Sequence, residues 1–275
     1  MNRQQVVKAR AFRQMHDRSG VLLLPNAWDA GSARLFARRG FAAVATTSGG
    51  VAWSLGYADG ERAPLDEVLA AVARIARVVD LPVTADIETG YGATPAAVGE
   101  TVRSVIEAGA VGINLEDGVH GGLRDPAAAA ERIAAARAAG EASGVPVVIN
   151  SRVDAWMHPA ADETARFADA LHRARSYLAA GADCIYPIGL VDGVTLAALV
   201  RELDAPVNVG ARPGVPGLAE LARIGVARVS TATRLAAIAL GAADAAARAM
   251  LASGGFDSLE APFGHAEAQG LFVAG

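Results

Sequence analysis

Lysine and cysteine are almost missing from this chain: Lys8 is the only lysine and Cys184 the only cysteine in 275 residues. A lone thiol excludes an intrachain disulfide framework and a thiolate zinc site, and it fits a reducing, cytoplasmic setting. Lys8 falls in an N-terminal amphipathic stretch ahead of the first apolar run. No strand therefore supplies the desolvated amine that Schiff-base catalysis needs. A carbonyl substrate would have to rely on a metal or on hydrogen-bond donors to hold its charge. Basic blocks are also lacking and the formal net charge is -4, which argues against nucleic acid as a partner. No long unbroken apolar run reads as a membrane span, and the run at 21–25 is too short and wrongly flanked for a secretory signal. The five histidines show no metal-ligand spacing.

What is present is a regular alternation of short apolar runs and longer helical patterns. Strands are expected at 21–24, 42–46, 83–87, 111–116, 147–152, 184–188, 207–209 and 228–231. Helices are expected at 29–39, 65–79, 95–108, 126–142, 163–179, 194–203, 218–223 and 235–251. Gly40, Gly109, Gly181 and Gly225 follow helical runs, where a left-handed cap is needed. Pro64, Pro95 and Pro126 mark helix starts. Eight strands each followed by a helix give an α/β fold, a (β/α)8 TIM barrel of parallel strands. The competing arrangement is an open doubly wound sheet. One domain is expected over 1–275, with an N-terminal helix within 1–20, a C-terminal helical extension and a tail at 254–275.

In such barrels chemistry sits at the C-terminal ends of the strands. Alternation puts Asp86 and Glu88 on one face of the third strand, and Asn114 and Glu116 on one face of the fourth. Three carboxylates converging from neighbouring strands repel one another unless a cation intervenes, and a hard divalent ion suits them. The plainer alternative is that they cap helices and pair with arginines. Arg152 on the fifth strand shares the inward face with Asn150. It could grip a substrate carboxylate or serve as partner to Glu116 or Asp154. Ser48, Gly49 and Gly50 offer a hydroxyl and backbone N–H groups that could form a small anion nest, or simply an ordinary turn. Asn208 is a polar group in a strand otherwise suited to burial. The glycines at 118, 121 and 122 suggest a flexible lid that could carry His120 or Arg124 into the site.

These segments resemble the isocitrate lyase and phosphoenolpyruvate mutase superfamily. The matching pieces, in order, are Pro25-Asn26-Ala27-Trp28-Asp29-Ala30, Thr47-Ser48-Gly49-Gly50-Val51-Ala52, Ser54-Leu55-Gly56-Tyr57-Ala58-Asp59, Asp86-Ile87-Glu88-Thr89-Gly90-Tyr91-Gly92, Ile113-Asn114-Leu115-Glu116-Asp117 and Ser151-Arg152-Val153-Asp154-Ala155. The resemblance implies Mg2+, with Mn2+ as an alternative, on Asp86, with Glu88, Glu116 and Asp59 as further acidic groups of the metal network. It implies Ser48, Gly49, Gly50, Arg152 and Asn208 as binders of a small carboxylate substrate, and a homotetramer with exchanged C-terminal helices. The chain departs from the lyases in the segment 118–125, which lacks their Lys-Cys-Gly-His loop and with it their proton donor. The expected activity is Mg2+-dependent cleavage of a C–C bond in a 2-oxo or 2-hydroxy carboxylate, through an enolate. Arg152, Glu116, His120 and Tyr57 are the candidate catalytic groups. The alternatives are carbon–phosphorus chemistry and an oxo-acid-binding barrel without catalysis.

Overall fold

The computed structural model describes residues 3–119, 121–160, 162–260 and 263–273. Eight parallel strands form the wall: β1 Leu22–Leu24, β2 Val44–Thr46, β3 Val83–Asp86, β4 Gly112–Glu116, β5 Val148–Val153, β6 Cys184–Pro187, β7 Asn208–Gly210 and β8 Arg228–Ser230. From β2 to β6, and again from β7 to β8, each pairs with its neighbour in chain order. Two features close the ring. A bridge joins Ile185 to Val207 between β6 and β7. The first strand is divided by Pro25, which has no N–H to offer a ladder. Leu22–Leu24 pairs with β8, while the short continuation Asn26–Ala27 pairs with β2.

Helices α1 Arg3–Gln14, α2 Ala30–Arg38, α3 Ser48–Leu55, α4 Leu65–Val78, α5 Pro95–Glu107, α6 Pro126–Ala142, α7 Glu163–Ala179, α8 Gly193–Leu203, α9 Leu218–Ile224 and α10 Arg234–Ser253 accompany the strands. Their starts are chemically marked. Asp29 and Ser32 form a reciprocal capping box on α2, and Thr94, Asp125, Asp162 and Asp192 accept backbone N–H groups at the starts of α5, α6, α7 and α8. The aliphatic core lies between strands and helices, with Ile75, Ile113, Ile149, Ile185, Leu196 and Leu221 fully buried.

Inside the barrel the filling is polar. Thr84, Asn114, Asn150, Asn208 and Arg228 are all buried there. Asn114 Oδ1 accepts from Asn150 Nδ2 (2.8 Å) and Arg228 Nη2 (3.3 Å), and Asn208 Nδ2 donates to Ser230 Oγ (3.1 Å). Helix α1 closes the bottom. Phe12 is fully buried, and its ring lies 2.9 Å from where a Cβ on Gly112, at the start of β4, would sit. Arg13 donates to the Val147 carbonyl (3.0 Å) and pairs with Asp183, both just before strands.

The strand and helix pattern follows the sequence expectation with ends shifted by one or two residues. One element differs. The stretch at 48–55 is a helix, not a turn running out of the second strand. After Gly254, the chain turns back through a second short helix, α11 His265–Gly270, and the Arg34 side chain donates to the Leu271 carbonyl. Helix α10 buries only Ala236. By length and composition it is apolar enough to cross a membrane, although Asp244 and Arg248 pair on it at 2.8 Å.

Candidate active site

The C-terminal ends of β3 and β4 bring Asp86, Glu88 and Glu116 to one rim, beside a cavity of about 460 Å3. Glu88, Glu116, Asp154, Glu61, Arg124 and His158 are among its lining residues. Asp86 remains partly accessible; its Oδ2 accepts from Ser48 N (3.2 Å) and its Oδ1 from Glu88 N (3.4 Å). Burial raises its pKa, opposed by the Arg152 charge. Glu88 is turned away from it. Its Oε2 accepts from Glu61 N (2.7 Å) and its Oε1 from the Tyr91 hydroxyl (2.9 Å). Burial first, then the Asp86 charge, push the Glu88 carboxyl up to about 7.

Glu61, Glu88 and Tyr91 all have positive φ (55°, 52° and 52°), a region that costs non-glycine residues energy. They hold one another there, since Tyr91 N and Thr89 Oγ1 both donate to Glu61 Oε1 (3.0 and 2.7 Å). Sequence reasoning missed Glu61 and Tyr91, because nothing local announces a left-handed backbone at these residue types.

Arg152 occupies the centre of a carboxylate clamp. Its Nη1 pairs with Glu116, while Nε and Nη2 reach the two oxygens of Asp154 at 2.7 and 2.6 Å. The expected partnership of Arg152 with Glu116 and Asp154 is present. Burial raises Glu116 to about 9, against the opposing pull of Arg152.

Ser48, Gly49 and Gly50 form the first turn of α3, where backbone N–H groups lack helical partners. The two glycines are there for space. A Cβ on Gly49 would lie 3.0 Å from Asp59 Oδ2 and 2.8 Å from Thr233 Cγ2; one on Gly50 would lie 2.9 Å from Trp28 Cβ. This close approach brings exposed Asp59 to the same end of the barrel, and its charge acts on both Asp86 and Glu88. Asn208 is fully buried below, with Oδ1 unpartnered. Tyr57 points elsewhere, its hydroxyl donating to Glu67 Oε1 at 2.9 Å. His120 lies outside the described residues.

The segment after β4 is a small hairpin, Gly118–Val119 against Gly122–Leu123. Its base is fastened. Asp117 Oδ2 accepts from the Tyr177 hydroxyl (2.6 Å) and Arg173 Nη1 (3.2 Å), and Arg173 Nη1 also donates to the Arg124 carbonyl (2.7 Å). Arg124 N in turn donates to the Asp117 carbonyl (2.8 Å). The glycines suggested a flexible lid; the buried anchors on α7 hold both ends of it.

Among the described residues no three Asp, Glu, His or Cys side chains gather closely enough to enclose an ion. The donor set suits a hard divalent cation held by one or two carboxylates and completed by water, as Mg2+ is commonly bound. Asp86, whose oxygens accept only from backbone N–H groups, would be the first carboxylate to hold it.

The profile of the phosphoenolpyruvate phosphomutase family matches residues 12–251. The 2-methylisocitrate lyase of Escherichia coli K12 is 32% identical over 82% of this chain and 74% of its own length. A provisionally assigned lyase/mutase from Burkholderia cenocepacia J2315 has a crystal structure that superposes with a TM-score of 0.92, at 40% identity, over 99% of this chain and 98% of its own. A phosphonopyruvate hydrolase solved with oxalate and Mg++ shares the fold, with a TM-score of 0.84 at 24% identity, over 96% and 94% of the two chains.

Proposed function

The chain belongs to the phosphoenolpyruvate phosphomutase family, and from that premise we propose that it is an Mg2+-dependent lyase opening a C–C bond of a small 2-oxo or 2-hydroxy carboxylate. What carries this is Asp86, whose oxygens accept only from backbone N–H groups, next to the first turn of α3, with Glu88 and Glu116 of the same rim lining the cavity. Asp86 would hold the ion, and Glu88, Glu116 and Asp59 would complete its acidic surroundings. Bound Mg2+, or Mn2+ in its place, supplies Lewis-acid stabilisation of negative charge on the substrate oxygens.

The chain's own groups have distinct tasks. The backbone N–H groups of Gly49 and Gly50, with Ser48, cradle a substrate carboxylate at a helix N-terminus. Arg152, paired with Glu116 and Asp154 of the cavity wall, and Asn208, buried beneath with a free Oδ1, would be the strand groups that meet the substrate. Glu116, whose carboxylate form is favoured by its ion pair with Arg152, takes up the substrate hydroxyl proton as the bond opens. His120 is the candidate for returning a proton to the departing carbon, in place of the thiol that lyases carry in their longer loop.

The test is a metal-supplemented screen of oxo, hydroxy and branched dicarboxylic acids, read by mass spectrometry. Release of an oxo acid that needs Mg2+ and disappears in Asp86→Ala is the expected result. Turnover indifferent to both chelator and Asp86→Ala sinks the proposal, and saturable binding without turnover across the panel favours a non-catalytic barrel. A C–P reaction is the second reading, favoured by Arg124, whose buried Nε has no partner beside the cavity. An unchanged phosphorus NMR spectrum of phosphonopyruvate rejects it.

We take residues 1–275 to act as one barrel domain in the cytoplasm, as its lone, buried Cys184 favours. The exposed Ile238, Leu240 and Leu251 of α10, with Phe256 and Leu259 beyond it, would be covered by another copy of the chain, in keeping with a homotetramer.

A further inference from the structure

Tyr186 has no task in the mechanism above, yet its position gives it one. It stands on β6 in register with Arg152 of β5, which is in register with Glu116 of β4. Neighbouring parallel strands in register present such residues on the same face, so the three side chains form one inward row. Tyr186 is only 4% exposed. Its hydroxyl fits because β7 gives way: a Cβ on Gly210 would lie 2.6 Å from the phenol oxygen.

No described group takes a hydrogen bond from this hydroxyl. The oxygen is not one of the buried atoms left without a partner either, so although the ring is enclosed the hydroxyl is open to an arriving group. Its neighbourhood is that of the reaction centre, for the charges of Arg152, Asp86, Arg228 and Asp154 all act on it. Burial raises its pKa to about 12, so it remains an O–H donor throughout the working range. Arg152, the obvious anion-binding group of the row, already has its Nε and both terminal nitrogens directed at Asp154 and Glu116. An anion arriving in the mouth meets an arginine neutralised by two carboxylates. The next donor along the row is Tyr186.

We propose that Tyr186 is a catalytic residue of this site, its hydroxyl donating a hydrogen bond to a carboxylate oxygen of the metal-chelating oxo or hydroxy acid. The inference rests on the proposed function, namely that the mouth takes Mg2+ together with a small carboxylate. The proton stays on the phenol; what the residue contributes is a fixed neutral dipole aimed at developing negative charge.

Oxalate, a compact dianion, is the probe, and calorimetric titration in the presence of Mg2+ is the measurement. Tyr186→Phe should weaken oxalate binding by about 10- to 100-fold, the range for a hydrogen bond to a charged group. Mg2+ affinity measured without oxalate should be unchanged, which a merely structural role would not predict. Gly210→Ala should give a similar loss by displacing the hydroxyl, and the double variant should be no worse than either single one. If Gly210→Ala does not fold, Tyr186→Phe alone decides. Wild-type affinity for oxalate in Tyr186→Phe overturns the tyrosine's role and leaves the metal–carboxylate reading intact. Failure of the wild-type protein to bind oxalate with Mg2+ overturns that reading, and this inference with it.

Discussion

Arg152 and Asp154, two residues apart on the same strand end, are joined by a two-pronged ion pair with N–O distances of 2.7 and 2.6 Å. Both side chains are largely withdrawn from solvent. Asp154 is thus what aims the guanidinium, and Glu116 receives its remaining arm.

Removing Asp154 leaves a buried arginine with half its partners. Asp154→Ala should cost about 3 kcal/mol of stability, the scale for breaking a buried pair from one side. Urea unfolding measures it. A loss below 0.5 kcal/mol, the scale of an ordinary surface substitution, would mean that Glu116 alone holds Arg152.

The hairpin beyond β4 should be as firm at its base as the strands. Asp117 takes three donors there: Tyr177, Arg173 and the Asp154 N–H. Tyr177→Phe removes one and leaves the other two. It should destabilise by about 1 to 2 kcal/mol and speed amide exchange at Arg124, whose N–H bonds to the Asp117 carbonyl. Exchange at Arg124 unchanged in the variant would show that the hairpin is fastened by something else.

His16 sets an acid limit. Its Nδ1 lies 2.8 Å from the Phe12 carbonyl and its Nε2 is buried without a partner. Burial first, then the Arg228 charge, lower its pKa from 6.5 to about 4; Arg13 acts in the same sense, while the Phe12 carbonyl and Asp183 oppose them. Between those two values the unfolded chain binds a proton that the folded protein refuses. Stability therefore rises with pH through this window and is lost as pH falls from 6.5 towards 4. The full effect is at most about 3 kcal/mol. Wild-type protein should lose more stability than His16→Gln between pH 7 and pH 4.5 in urea titrations. Buried carboxylates such as Glu116 act with the opposite sign, but equally in both proteins, so the comparison isolates the histidine. Parallel losses would dismiss it.

The barrel itself was legible because period-two apolar runs and period-3.6 runs follow each other eight times, each junction marked by a proline, a cap or a glycine. The same alternation placed Asp86, Glu88 and Glu116 at the rim. It could not say where their oxygens point. Glu88 bends to Glu61 and Tyr91, and Glu116 to Arg152, through contacts between segments distant in sequence or folded through left-handed turns. At Ser48–Gly50 the sequence offered an anion nest or an ordinary turn, since paired glycines disfavour helices locally. Tertiary crowding by Trp28, Asp59 and Thr233 is what makes those glycines necessary. Tyr57 looked like a site residue from its motif, but Glu67, one turn into α4, claims its hydroxyl. Tyr186 gave no signal at all, since an aromatic in an apolar strand reads as core until Gly210 is found facing its oxygen.

Phe12, wedged against Gly112 beneath the strands, has a consequence for traffic. With the underside stoppered, everything that enters leaves by the same doorway. Whichever acid is cut, both fragments must then leave past the Glu88 and Glu116 rim.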